Sequence, residues 1–284
     1  MLIANIQGRL HVMSSPTTGT DVEKLSGGKF DADPQAIYEH WDEFTAWAAD
    51  LKLSADQLQD FEPAQFEAPT PYPRQIFALG LNYRDHAEEV GLAIPEDLTV
   101  FTKFTSSLCG AHAEVVLPEG GLTDWEVEAV VVIGKGGRNI AKERAWDHVA
   151  GITMGQDLSE RRLQGSGTKQ FSFAKSYENF SPLGPIVATP DEFANRDDFA
   201  LGASVNAVVK QNGRTRDMIF SIPTAIARLT EIVALLPGDI IFTGTPAGVG
   251  QGQKPKMQFL NPGDVLESSM DVIGTMRQSF IAAR

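Results

Sequence analysis

Three carboxylates lead directly into a continuous apolar run: Asp124-Trp125-Glu126-Val127-Glu128, then residues 129–133, Ala-Val-Val-Val-Ile. The run is rich in β-branched residues and reads as a strand. Its continuity suits a strand buried on both faces. Side chains alternate along a strand, so Asp124, Glu126 and Glu128 share one face and Val127, Ala129 and Val131 the other. Carboxylates at the entrance to a buried strand repel one another and lose hydration. Two arrangements relieve this. A solvated sheet edge keeps the charges in water. A bound cation neutralises them, and oxygen-only ligands favour Mg²⁺, Mn²⁺ or Ca²⁺ over zinc. The segment alone leaves both open.

The chain around it is strand-rich. Segments 76–81, 114–118, 126–134, 149–154, 184–189, 200–213, 238–244 and 263–280 fit strands. Asn212-Gly213 is a strong hairpin signal. Helices are expected after Asn82, near 142–148, after Asp157 and near 222–236. Strands and helices do not alternate regularly, which argues against Rossmann and barrel layouts. The expected class is α+β, mainly β. Residues 1–70 differ in pattern. They hold a strand pair around Gly8, a polar stretch at 14–28 read as loop, and helical spacing over 34–58. Segment 67–75 carries Pro69, Pro71 and Pro73 and reads as a linker. This predicts a small α+β domain over 1–70 and a larger one over 71–284.

Lysine and arginine total 24 against 37 acidic residues, a net charge of −13. Such a surface repels phosphate backbones and anionic lipid, so neither nucleic acid nor membrane is an expected partner. A small anionic substrate would need a local positive site. The lone cysteine, Cys109, excludes an intrachain disulfide and a cysteine-based zinc site. No secretory h-region opens the sequence, and no apolar run approaches the roughly 20 residues that cross a bilayer. The expected location is the cytoplasm.

Three further segments carry candidate chemistry. His86 and Glu89 lie three apart after a strand end, with Asn82 or Asp85 as a helix cap. A carboxylate beside an imidazole raises its basicity and suits a general base, though the same spacing describes a surface pair. Asp157 follows an apolar segment and can complete a ligand set. With Glu160 three residues on, it can equally form a capping box. In the glycine-rich turn after 238–244, the Thr243 and Thr245 hydroxyls and backbone N–H groups can hold a substrate carboxylate, or the turn can be a mobile loop. The sequence contains no GxxxxGK[ST] and no GxSxG.

Taken together, GLNYRDHAEE, FTKFTSSL, DWEVEAVVVIG, GQDLSERRLQ, FSFAKSYENFSPLGP and PGDIIFTGTPAGVG resemble successive blocks of the fumarylacetoacetate hydrolase family, in order, over about residues 74–280. The resemblance implies a mixed β-sandwich roll, usually a homodimer. It implies Mg²⁺ or Mn²⁺ held by Glu126, Glu128 and Asp157. His86 and Glu89 match the family's water-activating dyad on a lid over about 84–98. Lys103, Arg161, Gln164, Lys175 and Thr245 match positions lining the substrate site, and Lys175 is counted with His86 and Glu89 as catalytic. The block after Asp157 departs from the common Thr-Ala-Arg, yet Arg161 keeps its spacing of four. Residues 1–70 carry no function over.

The implied function is hydrolysis of a carbon–carbon bond in a 2,4-dioxo acid, acylpyruvate- or fumarylacetoacetate-like, through a metal-bound enolate. Oxaloacetate decarboxylation, or another lyase or hydratase reaction of a 2-oxo acid, uses the same metal end. A non-catalytic metal-binding module is the reading of another class.

Overall fold

The strand predicted at the acidic segment is Val127–Ile133, and all of its residues are buried. It lies within a 12-stranded sheet in a computed structural model that describes residues 1–167 and 169–283. Residue 284, the end of the larger predicted domain, lies outside the described residues. Val149–Gln156 pairs with the strand on one side and Ile240–Phe242 on the other, both antiparallel. Alternation divides its side chains between two cores. Val127, Ala129, Val131 and Ile133 enter one, while Val130 and Val132 enter the other.

The first core is closed by a five-stranded sheet, which contributes Leu201, Ala203, Leu266, Met276 and Phe280. Sheet packed on sheet gives the predicted sandwich, mainly β with short helices. The second core is closed by the N-terminal segment, through Phe30, Ile37, Tyr38, Trp41 and Phe44. Leu2–Ile6 pairs with Ser181–Ala188, so strands of residues 1–70 extend the main sheet across the change in sequence pattern near 70. Among the described residues no helix is long and apolar enough to cross a membrane.

Several local readings are corrected. The polar stretch 14–28 is not all loop. It contains the strand Thr18–Asp21 and the short helix Val22–Leu25, whose first turn is capped by Asp21 Oδ1 accepting from Lys24 N at 3.0 Å. The helical spacing over 34–58 resolves into a 3-10 turn Ala36–His40, the helix Trp41–Ala48 and a second 3-10 turn Ala55–Gln57.

The hairpin turn falls at Asn206-Ala207, both with positive φ, and not at Asn212-Gly213. Two residues at positive φ match the strand twist, as a type I′ turn requires. Gly213 lies inside the strand Val208–Arg214 because Pro246 packs against it. A Cβ there would stand 2.5 Å from the Pro246 Cβ. Gly213→Ala is therefore expected to destabilise the fold by about 1–3 kcal/mol through overpacking. A lowered urea midpoint with unchanged m checks this.

Candidate active site

Glu126, at the mouth of the central strand, and Glu128, one pleat further in, meet Asp157 from the end of the paired strand Val149–Gln156. Register brings them together: Val127 pairs with Gln156, and Asp157 N donates to Glu126 O at 2.9 Å. Ligand atoms of the three carboxylates lie within 4.8 Å of one another, and all three residues are buried. Asp157 does not cap the next helix. Glu160 is the cap of Arg161–Gly165 and accepts from Arg162 N and Leu163 N, which leaves the Asp157 carboxylate for the cluster.

Cations surround the cluster on one side. Lys175 Nζ donates to Glu126 Oε2 and Asp157 Oδ2, each at 2.6 Å. Arg161 Nη2 donates to Glu126 Oε1 at 2.6 Å and Nη1 to Gln164 Oε1 at 2.8 Å. Burial would raise Glu126, but Lys175 and Arg161 hold it well below the usual carboxylate range. Burial would lower Lys175, and Asp157 with Glu126 raise it instead. Glu128 is treated differently. Burial pushes it well above the usual range, and Asp157 and Glu126 push it further. Its recorded hydrogen bond is to Gly244 N, at 2.7 Å. A third carboxylate forced toward its neutral form beside two that hold cations marks a site short of positive charge. The donors are all oxygen, so Mg²⁺, Mn²⁺ or Ca²⁺ fits and a thiophilic metal does not.

Two residues expected at the substrate make their hydrogen bonds to the protein itself. Lys103 stands behind Asp157, donating to Asp157 Oδ1 at 2.5 Å, to Lys175 O, and to Phe180 O at 3.3 Å. Its ammonium orients the Asp157 carboxylate. Thr245 borders the cavity, but its hydroxyl donates to Val127 O at 2.8 Å and accepts from Gln211 Nε2 at 2.7 Å. It braces the central strand.

The glycine-rich turn also differs from expectation. Its N–H groups hold carboxylates of the protein. Gly248 N donates to both Glu89 oxygens, at 3.0 and 3.1 Å, and Gly250 N and Gln251 N donate to Asp124 at 2.5 and 3.0 Å. Asp124 is not in the ligand cluster. It accepts from Arg161 Nε at 2.8 Å and so fixes the guanidinium that holds Glu126. These roles of Asp124 and Gly248 escape sequence reasoning, although the i, i+2, i+4 spacing of the three carboxylates marked Asp124 for attention.

His86 and Glu89 share the helix Arg84–Glu89, which no side chain caps. Asn82 instead bonds Thr243 O and Phe220, and Asp85 Oδ1 accepts from His86 N. His86 Nδ1 is buried without a hydrogen-bond partner and lies 3.5 Å from Glu89 Oε2. That distance is long for a hydrogen bond, and a small rotation of either side chain would complete it. A Cβ on Gly252 would overlap the Glu89 carboxyl. The carboxylate is the flexible partner, so Gly252→Ala is expected to displace Glu89 with little loss of stability. Steady-state assay should show kcat down about 10- to 100-fold, the usual effect of misplacing a reacting group by about 1 Å.

His86, Glu126, Glu128, Arg161, Gln164 and Lys175 border one cavity of ≈ 360 Å³. Convergent carboxylates, cations and an imidazole on the wall of a small cavity are features of an enzyme active site. A family model described as fumarylacetoacetate (FAA) hydrolase C-terminal matches residues 75–281, and the chain belongs to this family. A 2,4-didehydro-3-deoxy-L-rhamnonate hydrolase of Sphingomonas sp. (strain SKA58) is 40% identical over 83% of each chain. A Mycobacterium smegmatis protein whose crystal structure carries the name HpcE is 48% identical over the whole of both chains, with a TM-score of 0.94. The maleylpyruvate hydrolase of Sphingobium sp. SYK-6, solved with manganese(II) and pyruvate, is 28% identical over both full lengths, with a TM-score of 0.81.

Proposed function

We propose that the chain hydrolyses the carbon–carbon bond of a 2,4-dioxo acid. The observation that carries this reading is His86. Its imidazole is buried and unpartnered at Nδ1, 3.5 Å from Glu89, and borders the same cavity as Glu126 and Glu128. Glu126, Glu128 and Asp157 would hold Mg²⁺ or Mn²⁺, which supplies Lewis acidity toward the carboxylate and 2-oxo oxygens when bound. Glu89, fixed by Gly248 N, orients His86 with its proton on Nδ1. Nε2 is then free to take a proton from water, and hydroxide adds to C4 of the substrate. The C3–C4 bond breaks, C4 leaves as a carboxylic acid, and C3 of the released pyruvate takes a proton. Arg161 and Lys175 keep the carboxylates around the substrate neutralised. The lid residues Val90 and Leu92 help to exclude bulk water.

Decarboxylation of oxaloacetate is the second reading, because the carboxylate and lysine end of the cavity suffices for it without an attacking water. A site holding a cation for stability alone would be sealed by protein ligands, whereas Glu126 and Glu128 open on a cavity. Pyruvate release from acetylpyruvate and from oxaloacetate, measured side by side with Mg²⁺, tests the reading. Faster turnover of acetylpyruvate supports hydrolysis. Turnover of oxaloacetate alone overturns it in favour of decarboxylation.

A further inference from the structure

The neighbouring strand Ile240–Phe242 stays in register with the central strand only over Val130–Val132. Beyond Phe242 its chain turns at Gly244, whose φ is 93°, and Gly244 N donates to the Glu128 carboxylate. On this side the backbone of Val127, between Glu126 and Glu128, therefore has no strand to pair with. Side chains take the place of the ladder. Gln211, on the strand Val208–Arg214 of the five-stranded sheet, accepts from Val127 N through Oε1 at 3.0 Å. Its Nε2 donates to Thr245 Oγ1 at 2.7 Å and to Pro246 O at 2.8 Å. Thr245 Oγ1 in turn donates to Val127 O at 2.8 Å. The ring closes in one sense only, because the reversed amide would set its NH₂ against Val127 N–H. On the other side of the strand, Gln156 Oε1 accepts from Glu126 N at 2.9 Å, and its Nε2 donates to Ser268 Oγ of the five-stranded sheet at 2.8 Å. Gln156, Gln211, Thr245 and Ser268 are all buried.

Two consecutive backbone N–H groups at the mouth of the central strand are thus held by glutamine side chains, and both glutamines tie the strand to the opposite sheet. A buried N–H that loses its acceptor keeps the full cost of its lost hydration, so the segment would shift to find another. Any shift at Val127 carries the flanking carboxylates with it. Glu126 has Lys175 and Arg161 to hold it in place. Glu128 has no ion pair among the described residues, and its position depends on the backbone and on Gly244 N. We infer that Gln211 is a positioning residue for the cation site. With Thr245 it fixes Val127, and through Val127 the placement of Glu126 and Glu128, so the five-stranded sheet sets the affinity for the cation without supplying a ligand. Gln156 and Ser268 act in the same way at Glu126 N. The inference rests on the proposed function only in taking Glu126, Glu128 and Asp157 as the residues that hold Mg²⁺ or Mn²⁺.

Calorimetric titration of the full chain with Mn²⁺ tests it, at a temperature where the metal-free melting curve shows each variant folded. Gln211→Met replaces the amide with an unbranched chain and should weaken Mn²⁺ binding about 10- to 100-fold, the scale for losing a residue that orients a metal ligand. Thr245→Val, which loses the hydroxyl of the ring, should weaken binding comparably. Thr245→Ser, which keeps the hydroxyl, should bind like the native chain. Gln278→Met is the control. Gln278 is buried in the same sheet, and its amide donates to Ala111 O at 2.7 Å and not to the central strand. Its loss should lower the melting temperature and leave Mn²⁺ affinity unchanged. Native affinity in Gln211→Met or Thr245→Val, a loss in Thr245→Ser equal to that in Thr245→Val, or an equal loss in Gln278→Met overturns the inference. Should Gln211→Met not fold, the two Thr245 variants decide. Absence of Mn²⁺ binding by the native chain would overturn the cation reading and this inference with it, whereas native binding that the variants leave unmoved overturns this inference alone.

Discussion

Glu128→Gln is expected to lower turnover about a thousandfold or more while raising the melting temperature of the metal-free protein. The activity loss is expected because the substitution removes one of three convergent carboxylates that could hold a cation, and charge stabilisation by such an ion amounts to several kcal/mol. The gain in stability follows from the same residue. Burial, then Asp157 and Glu126, push Glu128 well above its ordinary value of 4.5. The unfolded chain gives up this proton near pH 4.5, whereas the folded chain retains it to higher pH. Stability is thus lost as pH rises from about 4.5 through the folded value. Glu126 acts in the opposite sense. Its folded value is depressed, so its contribution is present above pH 4.5 and is lost as pH falls below that. Above about pH 5 the Glu128 effect remains. Melting curves in EDTA should fall with rising pH for the native chain and fall less for Glu128→Gln. Added Mg²⁺ should raise the native melting temperature and leave the variant nearly unmoved. A variant that melts lower than the native chain in EDTA at every pH would contradict this account of the cluster.

His86→Ala is expected to cut acetylpyruvate hydrolysis by about 10²- to 10⁴-fold, the range for loss of a positioned general base. Metal binding should survive, since His86 is not among the three carboxylates that could hold a cation. The Mg²⁺-induced shift in melting temperature measures that survival. Oxaloacetate decarboxylation needs no attacking water, so any such activity should fall far less than hydrolysis. The ratio of the two losses separates a base from a residue that merely shapes the cavity. Equal losses on both substrates would remove His86 from the water-activating role. Loss of the Mg²⁺ shift as well would place the damage at the cation site.

Much of this was legible in the sequence because it depends on short-range periodicity. Strand alternation placed Glu126 and Glu128 on one face, and the β-branched run after them announced a strand buried on both sides. Spacing of three put His86 and Glu89 together. What escaped depends on partners far away in the chain. Asp157 reads as ligand or as cap until Lys103 and Lys175 are seen to hold it and Glu160 is seen to cap the helix. Lys103 is 54 residues from Asp157, so nothing local distinguishes a buried orienting lysine from one facing substrate. The glycine-rich turn offers donors, but its acceptors, Glu89 and Asp124, lie more than 120 residues earlier. Asn212-Gly213 misled because Gly213 is required by Pro246 packing on it and not by a turn. Local patterns report what a backbone can do, while long-range contacts decide which option is used.

The most direct test is pyruvate release from acetylpyruvate by the native chain, first as purified, then after EDTA, then after Mn²⁺ or Mg²⁺ is restored. A cation held by Glu126, Glu128 and Asp157 beside an active His86 should make turnover vanish with chelation and return with either ion. Undiminished turnover in EDTA, or none with either ion present, would contradict the account.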